Sequence, residues 1–100
     1  MPLKASRLVA LFLTMMFASH AQARAPQRVL TLGGAVTEIV FALAAGQQVI
    51  ATDDSSRYPP AAEALPKVGY LRQLSAEPLL AIGPDLVLVS EHAGPPQVLD

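Results

Sequence analysis

Three short apolar runs constrain this chain more than any other feature. They are Arg28-Val29-Leu30-Thr31-Leu32, Val49-Ile50-Ala51 and Asp85-Leu86-Val87-Leu88-Val89. Each is continuous rather than alternating, which is the pattern of strands covered on both faces. Between the first two lies a helical stretch, 35–45, with Val36, Ile39, Val40 and Leu43 at helical spacing. Gly46 stands where a helix would end at C′. After the second run, Pro59 or Pro60 suits the first turn of a short helix reaching Leu65. Lys67-Val68 adds a minor strand, Ser75 is placed to N-cap a helix over 76–82, and Gly83-Pro84 breaks it. The order β-α-β-(α)-α-β predicts an α/β fold with a parallel sheet between helical layers and right-handed crossovers. Ligands of such sheets sit beyond the carboxyl ends of the strands. Gly33-Gly34 and the polar loop 53–58 fall at two of those ends.

The first residues have another logic. Lys4 and Arg7 form a positive start, residues 8–18 are apolar apart from Thr14, and Ala21-Gln22-Ala23 is an A-x-A site. This is the layout of a secretory signal peptide over 1–23, with an apolar core short of the ~20 residues a membrane span needs. No Cys follows the apolar core, which excludes a lipoprotein anchor. Residues 24–100 carry five Lys/Arg against eight Asp/Glu, a net charge of about −3. That balance does not suit a nucleic-acid binder. Zero Cys excludes a disulfide framework, a thiolate metal site and a cysteine nucleophile. The sequence stops at Asp100, inside the first turn of a helix opened by Pro95-Pro96. Residues 24–100 therefore read as part of one lobe of a larger binding domain.

The chemistry-bearing segment is Val68-Gly69-Tyr70-Leu71-Arg72-Gln73-Leu74-Ser75-Ala76-Glu77. It sets a phenol and a guanidinium two residues apart, beside a glycine and before a helix start. Tyr70 reads either as a packing aromatic or as a hard oxygen ligand, because a bound ferric ion lowers a phenol pKa from ~10 far enough to deprotonate it. Arg72 reads as a solvated cation or as the partner of an oxyanion. Glu77 is favourable near a helix N-terminus in any case. Elsewhere, Gly33-Gly34 does not extend to GxGxxG, and GxSxG, HExxH, CxxC and P-loop patterns are absent. Neither a nucleophile elbow nor a metal-ligand cluster, the marks of a secreted hydrolase, is visible in this segment.

From Arg28 to Pro96 the chain resembles one family closely, on Gly33-Gly34-Ala35-Val36-Thr37-Glu38, the V-G-Y-x-R segment at 68–72, and Pro84-Asp85-Leu86-Val87-Leu88-Val89. That family is the haem-binding periplasmic substrate-binding proteins of bacterial ABC importers. The resemblance implies a two-lobed α/β protein, here represented by part of its N-terminal lobe. It implies a monomer in the periplasm that binds haem between the lobes and delivers it to an inner-membrane permease. The mature chain itself would not span the membrane. It implies that Tyr70 is the axial ligand of the haem iron, and that Arg72 donates to the phenolate or to a haem propionate. Glu77 matches the acid with which the family docks on its permease, with Glu38 as an alternative surface acid. Tyr58, in Tyr58-Pro59-Pro60, either stacks on the macrocycle or packs behind it. His92 is a weaker candidate for a second axial ligand. The same architecture carrying a ferric siderophore or cobalamin is the rival reading, and a truncated chain without function of its own is another.

The export reading has a direct test. Protein recovered from the periplasm is expected to have an intact mass that begins at Arg24. Recovery solely of uncleaved, membrane-bound chain would remove the secretory reading.

Overall fold

The computed structural model describes residues 7, 9–11 and 24–100. The signal peptide assigned to 1–23 lies almost wholly outside the described residues. Among the described residues, no helix is long and apolar enough to cross a membrane.

The elements follow the apolar runs. Strand β1 is Val29–Leu32 and helix α1 is Gly34–Ala42; a 3₁₀ turn, Gly46–Gln48, leads into β2, Val49–Thr52. Helix α2 is Pro60–Glu63, α3 is Ala76–Ile82, β3 is Leu86–Val89 and α4 is Pro96–Leu99. The sheet is parallel in the order β2-β1-β3. Val29 to Leu32 pair with Leu86 to Val89 in unbroken register, whereas the β1–β2 register shifts between Val29 and Leu30. The expected minor strand is present as an isolated bridge from Lys67 to Thr52. Every residue of β1 is buried, as a central strand demands. The core gathers Leu30, Leu32, Ala51, Val68, Leu74 and Leu79, with Leu71, Ile82, Ala93 and Val98 against them.

Three sequence expectations need correction. The apolar face of α1 is not Val36/Ile39/Val40/Leu43: Ile39 is 58% and Leu43 74% exposed, while Thr37 and Val40 are buried. Thr37 turns inward because its hydroxyl has polar partners there, Thr31 and Ser56. Gly46 does not end the helix either. The helix stops at Ala42, and Ala44 takes the left-handed conformation at φ 61°. Gly46 lies under Phe41, where a Cβ would come 2.4 Å from the ring. The third correction is β3, which is not covered on both faces: Val87 and Val89 are exposed among the described residues. They line an apolar cavity of about 510 Å³ with Leu79, Leu80, Val98 and Leu99. Ser75 does occupy the N-cap of α3, as its sequence position suggests, but without a side-chain cap bond.

The amino ends of β1 and β3 are bound together by charge-assisted bonds. Asp85 accepts from the backbone N–H of Gln27 at 2.9 Å and of Arg28 at 3.0 Å. Those bonds hold its carboxyl below the usual range. The Arg28 guanidinium donates to the carbonyls of Ile82 and Gly83, which closes the open end of α3.

The carboxyl ends are held by a buried polar chain. Asp53 is fully buried and accepts four hydrogen bonds, from the N–H of Gly33 and Ser55 and the hydroxyls of Ser55 and Ser56. Ser56 also meets Thr37 at 2.7 Å, and Thr37 meets Thr31 at 2.7 Å. An ionised carboxylate cannot donate, so Ser56 gives it its proton. Thr37 must then donate to Ser56, and Thr31 to Thr37. One charge thus orients the whole chain of hydroxyls.

Burial alone would raise the Asp53 carboxyl, but the Ser55 and Ser56 hydroxyls and the Gly33 and Ser55 N–H groups outweigh it. The net displacement is downward from 3.8. A carboxyl lowered in the folded state adds stability that is complete above its unfolded value. That stability is lost as pH falls through the lower folded value. Asp53→Asn is therefore expected to cost about 1–3 kcal/mol at neutral pH. The gap from wild type should close as pH drops below about 4. Denaturant midpoints measured from pH 7 to 3 check this, and parallel curves for the two proteins would contradict it.

Candidate functional site

The candidate site is built where three loops leave the carboxyl ends of the strands: Gly33-Gly34 after β1, 53–58 after β2 and 90–94 after β3. Gly33 is at φ 118°, and a Cβ there would approach the Ser90 Cβ to 2.8 Å. Glycine is required at this point because the first and third loops touch through it.

The segment 66–74 is laced to these loops by main-chain bonds. Thr52 N donates to Pro66 O at 3.0 Å, Val68 N to Thr52 O at 2.9 Å and Asp54 N to Gly69 O at 2.9 Å. Lys67 reinforces this edge, with Nζ donating to Thr52 Oγ1, Ser56 O and Ala62 O. Its ion pair with Glu63, at 4.0 Å, adds little beside them. Gly69 then takes φ 121° and opens a turn closed by Gln73 N donating to Tyr70 O at 2.9 Å. On the far side Gly94 N donates to Leu71 O at 3.0 Å, and Leu74 N to Gly94 O at 2.9 Å. The turn Tyr70-Leu71-Arg72-Gln73 is thus held from the 53–58 loop on one flank and the 90–94 loop on the other. The Tyr58–Pro59 and Gly94–Pro95 peptide bonds in its surroundings are cis.

This turn sorts its side chains. Leu71 packs on the core and Leu74 is buried. Tyr70 is 50% exposed and Arg72 is exposed. Neither the phenol nor the guanidinium has a hydrogen-bond partner among the described residues. Tyr58 is exposed on the loop that bonds to Gly69. His92 is exposed on the loop that bonds to Leu71, its ring 3.8 Å from the Glu91 carboxylate. The sequence candidates Tyr58, Tyr70, Arg72 and His92 thus lie on one set of bonded loops. Glu77 is separate from them, exposed in the first turn of α3, and Glu38 is exposed on α1. No three of His, Asp and Glu gather into a metal-ligand group among the described residues.

Two residues that organise the site escape a reading by type. In sequence Asp53 is one residue of a polar loop and Lys67 one of a minor strand, and neither is singled out. A local signal could have found the first, since Asp53-x-Ser55-Ser56 after a strand is an Asx-turn pattern; the acceptors of Lys67 are too scattered to leave one. Thr37 is a polar residue set among apolar helix positions.

The chemistry presented to solvent is one oxygen donor and one carboxylate partner on a fixed turn. Known proteins share this frame. The family model described as periplasmic binding protein matches residues 29–98. A vitamin B12-binding protein of Pectobacterium carotovorum is 37% identical over 75 residues, 75% of this chain and 27% of that protein. The periplasmic heme-binding protein RhuT from Roseiflexus sp. RS-1, in apo form, superposes with a TM-score of 0.71 at 46% identity, covering 75% of this chain and 29% of that one. A periplasmic heme-binding protein from Pseudomonas aeruginosa superposes with a TM-score of 0.72 at 44% identity, covering 75% and 27%. The chain spans little more than a quarter of the length of these relatives. With the family model lying over all three strands and the Tyr70 turn, this chain belongs to the periplasmic binding protein family.

Proposed function

We propose that the protein is the periplasmic substrate-binding component of a bacterial ABC importer and that its cargo is haem. The observation that carries this reading is the Tyr70–Gln73 turn. It holds a phenol and, two residues on, a guanidinium out to solvent at the carboxyl end of a parallel sheet, both unpaired among the described residues. Ferric iron is a hard acid and a phenolate a hard base, so Tyr70 serves as the axial ligand of the iron. Arg72 has two acceptors within its chemistry, the phenolate and a haem propionate. Tyr58 offers an aromatic face to the macrocycle. The two heme-binding proteins at 46% and 44% identity support this cargo. The protein captures and delivers its cargo, as a monomer, without covalent turnover. Glu77 docks it on the inner-membrane permease.

The second reading keeps the architecture and exchanges the cargo for cobalamin. It is favoured by the relatives named for vitamin B12 at up to 37% identity. Tyr70 separates the two, because both metals come enclosed by a ring but cobalamin also brings its own axial ligands, whereas ferric haem has an open axial position for a phenolate.

In the full-length protein, ferric haem is expected to give a high-spin spectrum with a tyrosinate-to-iron charge-transfer band. Tyr70→Ala should abolish the band and weaken binding by more than Arg72→Ala. The latter removes a supporting charge and should cost about ten- to a hundredfold. Cobalamin titrated in parallel should not compete. A Tyr70→Phe protein with the wild-type spectrum and affinity would mean that iron has another ligand, His92 being the first to examine, and the haem reading would lose its main support.

Docking is tested apart from binding. Glu77→Ala should leave haem affinity unchanged and slow uptake through the reconstituted importer. Unchanged transport would leave Glu77 as a helix-dipole residue, with Glu38 the acid to try next.

A further inference from the structure

Asp53 touches nothing in solvent, yet it lies where the turn after β1 meets the 53–58 loop that holds one flank of the Tyr70 turn. Its carboxylate faces the turn after β1, taking the Gly33 N–H on Oδ1 at 2.9 Å. Its neighbours in sequence face the other way. Thr52 gives and takes main-chain bonds with Pro66 and Val68, and Asp54 N donates to Gly69 O. Gly69 is the residue before Tyr70. A second link runs in parallel: Ser55 Oγ donates to Asp53 and accepts from Gly34 N at 3.1 Å. A third is the Ser56 hydroxyl, which donates to Asp53 at 2.7 Å while Lys67 grips the Ser56 carbonyl. Four donors on two oxygens leave this carboxylate little freedom to rotate. The loop it anchors has correspondingly little freedom to slide along the Pro66–Gly69 edge.

Resting on the haem reading, we infer that Asp53 is a positioning residue for the ligand turn: its carboxylate sets the placement of Tyr70 by fixing the loop whose Asp54 N–H holds Gly69. The residues that orient a metal ligand matter almost as much as the ligand itself. Here the orienting group acts two bonded contacts away, through backbone. Its neutral isostere, asparagine, keeps the volume of the side chain but removes one acceptor oxygen and the charge. At least one of the N–H and hydroxyl donors then loses its partner, and the loop relaxes.

The test uses the full-length protein with ferric haem as probe and compares four variants. Asp53→Asn removes the clamp. Ser55→Ala weakens it from the surface without opening a cavity, and covers the case in which Asp53→Asn does not fold. Thr31→Val breaks the far end of the same buried hydroxyl chain, away from the 53–58 loop, and so reports stability loss alone. Tyr70→Phe tests the haem reading itself. In the apo protein, amide exchange of Asp54 and Gln73 is expected to quicken in Asp53→Asn and Ser55→Ala and not in Thr31→Val. With haem bound, the tyrosinate charge-transfer band should shift and haem release should speed up by about tenfold in Asp53→Asn, less in Ser55→Ala. Thr31→Val should keep the wild-type band and release rate.

Wild-type exchange, band and release in both clamp variants would overturn the inference. So would an equal effect of Thr31→Val, since the cause would then be global stability. A silent Tyr70→Phe would show instead that Tyr70 is not the iron ligand; the haem reading would lose its main support, and the role of Asp53 toward an iron ligand would fall with it.

Discussion

The buried Asp53 carboxylate is the interaction on which the rest of this structure turns. A lone buried charge is expensive, and it persists here because four donors surround it. Two of those donors are backbone amides at turns that no helix or strand ladder would satisfy. Removing the carboxylate would orphan them, so the group repairs a deficit that the fold itself creates at the carboxyl ends of its strands. The hydroxyls of Ser56, Thr37 and Thr31 extend the same solution into the sheet. A helix that would otherwise rest on the sheet through oil alone is fixed in rotation by a line of directed bonds.

The opposite ends of the strands are handled differently. There Asp85 and Arg28 lie at the surface and exchange bonds with backbone groups across the β1–β3 pair. Exposed charges are screened, and what this pair contributes is closure of backbone groups rather than Coulomb energy. The two ends of the sheet therefore differ in stiffness. The end that bears the candidate site has the buried charge, the close contact of Gly33 with Ser90, and loops bonded on both flanks of one turn.

Much of this was legible in the sequence, and the reasons are specific. Continuous apolar runs, Pro60 at a helix start and Gly83 at a helix end act locally, so the order of elements and the parallel sheet followed from them. The 68–77 segment stood out because a phenol and a guanidinium follow Gly69 just before a helix start, although the turn at 70–73 was not itself read. The rotation of α1 was not legible. Spacing of apolar residues placed Ile39 and Leu43 inward, and what decides the matter is a partner of Thr37 nineteen residues later, Ser56. The exposed face of β3 was hidden for a similar reason: a run such as Leu-Val-Leu-Val states what a strand can bury, and not which neighbours among the described residues cover it. The role of Lys67 was not legible either, because its three acceptors come from three different segments.

These features divide the chain into a frame and a reading head. The frame is the sheet, the Asp53 clamp and the inward residues Leu71 and Leu74 of the turn. The reading head is what the same turn points outward, Tyr70 and Arg72. Because main-chain bonds hold the turn, its outward side chains can change without disturbing the core beneath. Overall identity then measures mostly the frame, which is why relatives named for vitamin B12 and structures named for heme both align over three quarters of this chain. On the haem reading, the choice of cargo falls to outward positions of this turn, the phenol of Tyr70 and the guanidinium of Arg72. A phenol on a stiff turn loses little entropy when it meets iron, because the backbone ordering was done on folding. That preorganisation is the physical reason the haem reading assigns the ligand to the main-chain-bonded Tyr70 turn.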